Sequence, residues 1–272
     1  MNIVEIQSAE DPRIAHYLGM RHFMPSNNPA SDDSYFIAES PKVISSALDA
    51  GYSALSLLCE RRHINGDAAG IISRLGDNTT IYTGSREVLE KLTGYTLTRG
   101  VLCAMSLPKL RDWREVVKQA ARIAVLDRVC DTTNIGSIFR SAAALGVDGI
   151  LLTPGTCDPL NRRSVRVSMG SIFKVPWAWI NDPIEDLKKF GFKTMAMALK
   201  PFSIPLDSPT LIKEPRLAII FGTEGDGLSN QTIEEADYSV IIPMYNGVDS
   251  LNVAMSASIA FWQLRKSKID TR

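Results

Sequence analysis

Residues 218–231, AIIFGTEGDGLSNQ, join a short apolar run to a loop that carries three glycines and two acids. The run from Ala218 to Phe221 predicts a buried strand, because four consecutive apolar residues bounded by glycine are typical of a strand covered on both faces. Ser229 predicts the N-cap of a helix that follows the loop. The stretch therefore indicates an α/β protein with a strand, a glycine-rich turn and a helix in succession.

The loop lacks the features of the common phosphate-binding turns. A Walker loop ends in Gly-Lys-Ser/Thr, and the dinucleotide fingerprint needs GxGxxG after the first strand, whereas GTEGDG matches neither. Glu224 and Asp226 would also repel phosphate. Such a turn is suited to a neutral or cationic ligand, such as a nucleoside without phosphates. A plain strand-to-helix turn is the alternative that the loop alone leaves open.

Strand and helix patterns alternate along most of the chain and predict two α/β domains. We expect an N-terminal domain over residues 1–106, in which residues 1–34 are an extension that includes a polar connector at 25–34. The charged segment 107–120 is expected to be a linker, and residues 121–272 to be the second domain. Continued alternation favours a mostly parallel sheet covered on both faces.

The composition of the 272 residues is that of an ordinary globular protein. Thirty Lys and Arg balance thirty Asp and Glu, which argues against wholesale attraction to nucleic acid and leaves a local basic patch open. Four cysteines without a CxxC pair and three histidines favour neither a zinc site nor a disulfide framework, so no metal is expected. No stretch is apolar enough for a membrane span or a leader, and we expect a reducing cytoplasm.

Two further stretches carry polar residues beside helical patterns. In DTTNIGSIFRSAAALG, residues 131–146, Asn134 is expected to cap a helix that ends at Leu145, with Arg140 on the flank of its apolar face. The alternative for Arg140 is an ordinary surface arginine that contacts only solvent. In residues 241–262, Ser250 is expected to cap a helix from Leu251 to about Lys266, whose small residues indicate close packing or a subunit contact.

Taken in order, four stretches resemble the signature motifs of the SpoU (TrmH-like) RNA ribose 2'-O-methyltransferases of the SPOUT superfamily. They are NIGSIFRSAAALG, RRSVRVSMGSIFKVP at 162–176, IIFGTEGDGLS, and IPMYNGVDSLNVAMSASIA. The resemblance implies a parallel-sheet domain with a trefoil knot, a homodimer formed through that domain, and S-adenosylmethionine as methyl donor. Residues 35–105 resemble the small ribosomal-protein-like RNA-binding domain of the family, with Ser40 in FIAESPK where relatives usually have glycine.

The resemblance also implies site residues. The implied catalytic set is Asn134, Arg140, Glu224, Ser250 and Asn252. The implied donor-binding set is Leu199, Gly222, Glu224, Gly227, Ile242, Met244 and Leu251. A guanidinium has a pKa above about 12 and is a poor base, so we expect Arg140 to grip an RNA phosphate, with Glu224 orienting it.

RNA contacts are expected from Arg162, Arg163 and Arg166, for which a solvated charged face is the nearly equal alternative. Arg61, Arg62 and His63 form a smaller patch. The expected activity is methyl transfer to a ribose 2'-hydroxyl of ribosomal or transfer RNA. Two other classes stay open: a catalytically silent RNA-binding or assembly factor, and a nucleotide-dependent oxidoreductase, for which the dinucleotide fingerprint is missing.

Overall fold

The computed structural model describes residues 2–17, 35–94, 100–107 and 109–265, and the chain forms two compact units. The first comprises Met1–Lys109 together with Leu160–Phe173, and the second Leu110–Pro159 together with Lys174–Arg272. The connector predicted at 25–34 and the predicted end of the last helix near Lys266 lie outside the described residues.

The first unit contains a five-stranded mixed sheet in the order β1-β4-β3-β5-β2. Strands β1, β4 and β3 are parallel, whereas β5 is antiparallel to both β3 and β2. The elements are β1 (Asn2–Ile6), β2 (Tyr35–Glu39), α1 (Pro41–Asp49), β3 (Ala54–Glu60), α2 (Ala69–Ile72), β4 (Thr80–Gly84), α3 (Arg86–Thr93) and β5 (Val101–Ser106). Because β1 is a full partner of β4, the start of the predicted extension is part of this sheet.

A short 3₁₀ helix, Pro12–Tyr17, anchors the N-terminal segment on the sheet. The fully buried Tyr17 hydroxyl donates to the Ser56 carbonyl at 2.9 Å and accepts the Ala104 N–H at 3.2 Å. The pairing of β3 with β5 shifts register at Ala54, next to this point. The tyrosine thus satisfies a backbone donor in the sheet.

Ser40, between β2 and α1, adopts φ 83° and ψ 147°. This region of backbone space is accessible almost only to glycine, because a Cβ atom meets the neighbouring carbonyl there. Its N–H donates to the Val101 carbonyl at 3.0 Å, and its own carbonyl accepts the Ile44 N–H at 3.0 Å. Surrounding hydrogen bonds therefore hold a strained residue at the turn.

The second unit contains a seven-stranded sheet in the order β10-β12-β9-β11-β6-β7-β8, and every neighbouring pair is parallel. The elements are α4 (Trp113–Val117), β6 (Arg122–Leu126), α5 (Thr132–Leu145), β7 (Gly149–Leu152), α6 (Arg162–Val167), which belongs to the first unit, β8 (Trp177–Trp179), α7 (Pro183–Lys189), β9 (Lys193–Met197), β10 (Ile204–Pro205), α8 (Pro209–Lys213), β11 (Leu217–Phe221), α9 (Asn230–Glu235), β12 (Tyr238–Ile241) and α10 (Val253–Gln263). The predicted parallel α/β sheet is confirmed.

Helices cover both faces of this sheet, and alternate strand residues divide between the two faces. One core joins Val125 and Ile220 to residues of α4, α7 and α9. On the opposite face the ring of Phe221 meets that of Phe261 edge-on, with centroids 5.7 Å apart, and α5 packs against α10. Strand β11, predicted from the apolar run before the glycine loop, lies near the middle of the sheet and is wholly buried.

The compact units divide the chain differently from the predicted domains. Within segment 107–120, the expected linker, Trp113, Val116 and Val117 are buried in the core of the second unit. Their spacing of three and four residues gives α4 an apolar face. The charged residues around these three made the segment look like an exposed linker in the sequence. Residues 160–173 lie inside the predicted second domain but pack with the first unit, where the ring of Phe173 lies 5.7 Å from that of Phe36.

Two arginine side chains in the second unit donate hydrogen bonds to backbone carbonyls. Arg122 donates from Nε to the Leu264 carbonyl at 2.9 Å, just past the end of α10, and burial lowers its pKa. Arg216 donates from Nε to the Ala120 carbonyl at 2.9 Å. These guanidinium groups are structural. No helix in the described ranges is both long and apolar enough to cross a membrane.

Candidate functional site

The loop after β11 folds back on itself. Thr223 and Gly227 form an isolated antiparallel bridge, and the Gly227 N–H donates to the Thr223 carbonyl at 3.1 Å. A Cβ built on Gly222 would lie 2.3 Å from the carbonyl carbon of Gly227, a separation that no real Cβ shows. Gly222 is therefore required by the close approach of two backbone segments, and Gly227 by its φ of 68°. Ser229 caps α9 as predicted, since its Oγ accepts the Thr232 N–H at 3.0 Å.

A cavity of about 490 Å³ opens beside this loop. Its walls come from the ends of β9, β11 and β12 and from the segment that leads into α10. All seven residues of the predicted donor-binding set line it: Leu199, Gly222, Glu224, Gly227, Ile242, Met244 and Leu251. Ser250 and Asn252 of the predicted catalytic set line it too. Predicted residues up to 53 positions apart in the chain thus share one cavity, whose volume is in the usual range for small-molecule sites.

Three polar side chains from α5, the glycine loop and the start of α10 form a continuous hydrogen-bonded relay. Asn134 donates from Nδ2 to Oε1 of Glu224, and its Oδ1 accepts from Nδ2 of Asn252 at 3.0 Å. The Oδ1 of Asn252 accepts the backbone N–H of Ala254 at 2.9 Å. Because a backbone N–H can only donate, both amide orientations are fixed along the relay. Asn134 is buried and joins two walls of the cavity without lining it.

The helix caps differ from the sequence prediction at both ends of this relay. Asp131, and not Asn134, caps α5, because its Oδ1 accepts the N–H groups of Thr133 and Asn134 at 2.6 and 3.0 Å. Asn252, and not Ser250, caps α10, whereas Ser250 donates to Asp249 at 3.0 Å. The helix consequently begins at Val253 and not at Leu251. Relieved of capping, the Asn134 side chain is available to Glu224. Asp131 is the residue that the sequence interpretation missed, although an Asp immediately before the helix is itself a capping signal.

Arg140 does not join the relay within the chain. It lies on α5 six residues beyond Asn134, a rise of about 9 Å along the helix axis, and its side chain is exposed. Within the described residues it has no hydrogen bond or ion pair, and it does not line the cavity. The expected orientation of Arg140 by Glu224 is therefore absent within the chain, because the Glu224 carboxylate accepts from Asn134 in the first turn of α5, whereas Arg140 lies in the middle of that helix.

The three arginines of α6 differ in their surroundings. Arg162 donates from Nη2 and Nε to Oε2 of Glu39, at 2.9 and 3.2 Å, and its side chain is only 12% exposed. Arg166 approaches the other oxygen of Glu39 at 3.6 Å and is largely exposed, as is Arg163. Arg162 is thus held as a partner of Glu39, and the exposed charges of this helix are those of Arg163 and Arg166.

The patch expected from Arg61, Arg62 and His63 is partly neutralised by acids. Arg61 pairs with Glu5 at 3.1 Å, and Arg62 with Glu60 at 2.7 Å. Across the described ranges, no group of three or more His, Cys, Asp and Glu is arranged to hold a metal ion.

Comparison of the sequence with known proteins assigns the chain to a family. A profile of the SpoU rRNA methylase family matches residues 121–262, more than half of the chain. A relative described as an uncharacterized tRNA/rRNA methyltransferase of Mycobacterium tuberculosis is 34% identical over 274 residues, covering 98% of this chain and 93% of the relative. The chain belongs to the SpoU family of RNA methyltransferases. The resemblance of its motifs to that family is thereby confirmed.

A further relative and a solved structure are also similar to this SpoU-family chain. The 23S rRNA (guanosine(2553)-2'-O)-methyltransferase of Bacillus subtilis is 29% identical over 201 residues, covering 73% of this chain and 78% of the relative. The crystal structure of an AdoMet-bound rRNA methyltransferase from Sinorhizobium meliloti has a TM-score of 0.79 at 25% identity. It covers 96% of this chain and 97% of that one, so the likeness extends across both units.

Proposed function

We propose that this SpoU-family methyltransferase uses S-adenosylmethionine to methylate a ribose 2'-hydroxyl of ribosomal or transfer RNA. The observation that carries the proposal is the single cavity lined by all seven residues of the predicted donor-binding set and bordered by the Asn134 relay. The B. subtilis relative named as a 2'-O-methyltransferase supports the ribose oxygen as acceptor. The AdoMet-bound structure of the S. meliloti relative supports the donor.

The chemistry of the cavity walls is consistent with this donor. Leu199, Ile242 and Leu251 offer apolar surface to a nucleoside, and the folded loop from Gly222 to Gly227 offers backbone groups at close range. Glu224 puts a carboxylate at the wall, which favours a cationic ligand without phosphates. When bound, S-adenosylmethionine supplies an electrophilic methyl group on a sulfonium sulfur. The wall residues would hold it still, and positioning of two reactants can lower a barrier by several kcal/mol.

The polar residues divide the remaining tasks. Asn134 holds the Glu224 carboxylate, and Asn252 ties both to the first turn of α10, so that the relay fixes the cavity wall where the hydroxyl would react. Arg140 is free to bind an RNA phosphate beside the target ribose, where its charge would favour loss of the hydroxyl proton. Ser250, exposed at the cavity, can accept or donate a hydrogen bond to either substrate.

A homodimer formed through the second unit is part of the proposal. Met255, Ile259 and Trp262 recur at intervals of four and three residues along α10 and are exposed, as is Tyr245 in the segment between β12 and α10. Such a stripe of large apolar side chains is typical of an interface. A second copy that covers it would bring α5, which packs against α10, and hence Arg140 towards the interface.

Three further features follow from the family resemblance. They are the trefoil knot of the second unit, the RNA-binding role of the N-terminal domain, and a cytoplasmic location. The knot is supported by the shared cavity, in which the segment after β12 meets the Gly222 loop. The RNA role is supported by the exposed Arg163 and Arg166, which lie outside residues 1–106 but belong to the first unit.

Calorimetry and ribose-methylation mapping test the proposed function together. We expect binding of S-adenosylmethionine and S-adenosylhomocysteine but not of NAD, and a 2'-O-methyl mark that disappears from cellular RNA when the gene is deleted. Asn252→Ala should abolish transfer. The matched control is Ser85→Ala, which removes the N-cap of α3 away from the cavity and should leave transfer intact.

Each failure points to a different alternative. Binding of the donor without any methyl mark would favour the catalytically silent RNA-binding factor on the same scaffold. Absence of donor binding would refute the proposed function, and binding of NAD instead would favour the oxidoreductase.

A further inference from the structure

The turn between β6 and α5 holds Arg128 in a left-handed backbone conformation, with φ 55°. This conformation is uncommon for a residue with a Cβ atom, because it brings Cβ close to the following carbonyl oxygen. Here the Arg128 N–H donates to Oγ1 of Thr153 at 3.2 Å. On either side, the Asp127 N–H donates to the Phe221 carbonyl at 2.8 Å, and the Val129 carbonyl accepts the Cys157 N–H at 3.0 Å. The turn is thus fixed on both flanks and in the middle.

The side chain of Arg128 is supported along its stem, while its charge remains accessible. A Cβ added to Gly155 would lie 3.2 Å from Cγ of Arg128, so the stem runs along the glycine backbone. The side chain is 52% exposed, and its Nε lies 3.6 Å from Oδ1 of Asp127, which is too long for a hydrogen bond. That carboxylate oxygen already accepts from Oγ1 of Thr153 at 2.7 Å. The guanidinium donors therefore remain open to another acceptor.

The position of Arg128 connects it with the candidate site. Its neighbour Asp127 is hydrogen-bonded to Phe221, which lines the cavity and immediately precedes Gly222. Three residues after Arg128, Asp131 begins α5, the helix that carries Asn134. The guanidinium groups of Arg122 and Arg216, by contrast, donate to backbone carbonyls of the same unit. Arg128 presents its charge at the carboxyl edge of the sheet, where ligands of parallel α/β sheets bind.

We infer that Arg128 binds a phosphate of the RNA substrate next to the ribose that is methylated, an inference that rests on the proposed function. A guanidinium can bind two phosphate oxygens through parallel N–H groups, which fixes the strand as well as attracting it. The rigid turn and the supported stem keep the loss of side-chain entropy small. The left-handed backbone, held by these hydrogen bonds, then aims the side chain at the edge of the sheet.

The test compares Arg128→Gln and Arg128→Gly with the control Arg114→Gln. Arg114 is 59% exposed, similar to Arg128, but its guanidinium donates to Asp112 at 3.3 Å, so the control removes a comparably exposed charge whose donors are already engaged. The probe is protein-free ribosomal and transfer RNA from a strain lacking the gene. Binding is measured by filter retention from 50 to 200 mM salt, methyl transfer by incorporation of labelled methyl groups, and donor-site integrity by calorimetry with S-adenosylhomocysteine.

We expect both Arg128 variants to bind this RNA about tenfold more weakly, with a salt slope reduced by about one counterion. The KM for RNA should rise, and the affinity for S-adenosylhomocysteine should equal that of the wild type. Arg128→Gly should also keep or raise the Tm, because glycine tolerates the left-handed turn. Arg114→Gln should behave as the wild type.

Wild-type RNA affinity and salt slope in both Arg128 variants would overturn the inference, whether or not the RNA is methylated. Absence of methyl transfer by the wild type would count against the proposed function alone, since the binding measurement does not depend on transfer. A fall in Tm for Arg128→Gly with unchanged RNA binding would show that the residue serves the fold.

Discussion

Asn134→Asp changes one atom of the relay and tests whether it exists in solution. The substitution keeps the shape of the side chain but replaces the Nδ2 donor with a carboxylate oxygen that faces Oε1 of Glu224. Two charges about 3 Å apart repel by about 1.4 kcal/mol in bulk water and by about 5.5 kcal/mol at an effective dielectric constant of about 20. Glu224 is exposed and Asn134 is buried, so the effective environment lies between these limits.

A second effect opposes this repulsion but is smaller. A carboxylate in the first turn of α5 gains about 0.5 kcal/mol from the helix dipole. We therefore expect Asn134→Asp to lower the free energy of unfolding by about 1 to 5 kcal/mol at pH 8. The loss should shrink towards pH 5. Repulsion raises the pKa of one carboxyl above its unfolded value of about 4, so the penalty is full above the raised pKa and is relieved as protons bind below it.

Urea unfolding at pH 5 and pH 8 measures this effect, and a second substitution provides the control. Glu224→Gln alone should cost about 1 kcal/mol or less, because the Gln oxygen can still accept from Asn134. In the double variant only the bond between positions 134 and 224 changes direction: the Gln amide donates to the new carboxylate, which still accepts from Asn252. Stability should then return to that of Glu224→Gln. Wild-type stability of Asn134→Asp at pH 8, or no recovery in the double variant, would refute the relay.

Three further predictions concern single residues. Ser40→Gly should raise the free energy of unfolding in urea by about 1 kcal/mol, because glycine adopts φ 83° without strain; a loss of stability would contradict this. Gly222→Ala should weaken S-adenosylhomocysteine binding at least tenfold by calorimetry, since its Cβ would meet the backbone of Gly227. Gly76→Ala, where nothing lies within 4 Å, should bind as the wild type, and equal affinities of the two variants would be the opposing result. Burial lowers the pKa of His16, whose Nε2 lies 2.9 Å from Oγ of Ser56. As the pH falls, the unfolded chain therefore binds a proton at this histidine before the folded chain does, which favours unfolding. The Tm should be highest above about pH 6.5 and fall below it, and His16→Gln should flatten that fall; an unchanged pH profile would argue against it.

Local patterns in the sequence were sufficient for the elements that carry the site. The apolar run before GTEGDG predicted β11, helical periodicity predicted α5, and a run rich in Ala and Ser predicted α10, because these signals depend on neighbours within one or two turns. Their relative placement was available through the family resemblance. The walls of the cavity come from segments tens of residues apart, and no periodicity encodes such a meeting.

The missed features share a physical cause. Asn134 was predicted to cap a helix, whereas its side chain donates to Glu224, 90 residues away along the chain. The apolar face of α4 rests on three residues, Trp113, Val116 and Val117, set among charges. The membership of residues 160–173 in the first unit depends on pairings such as Arg162 with Glu39, which are 123 positions apart. Interactions over such separations leave no mark on local composition.

Because residues 160–173 complete the first unit, neither unit corresponds to a single uninterrupted piece of the gene. A truncation after Lys109 would remove Arg162 and Phe173, which contact Glu39 and Phe36, and a fragment starting at Leu110 would carry these two residues without the sheet they pack against. Work on separate halves would thus report on incomplete folds. Ribosomes must also synthesise at least 173 residues before the first unit has all its parts, so its completion during translation comes after β6, α5 and β7 of the second unit have been made.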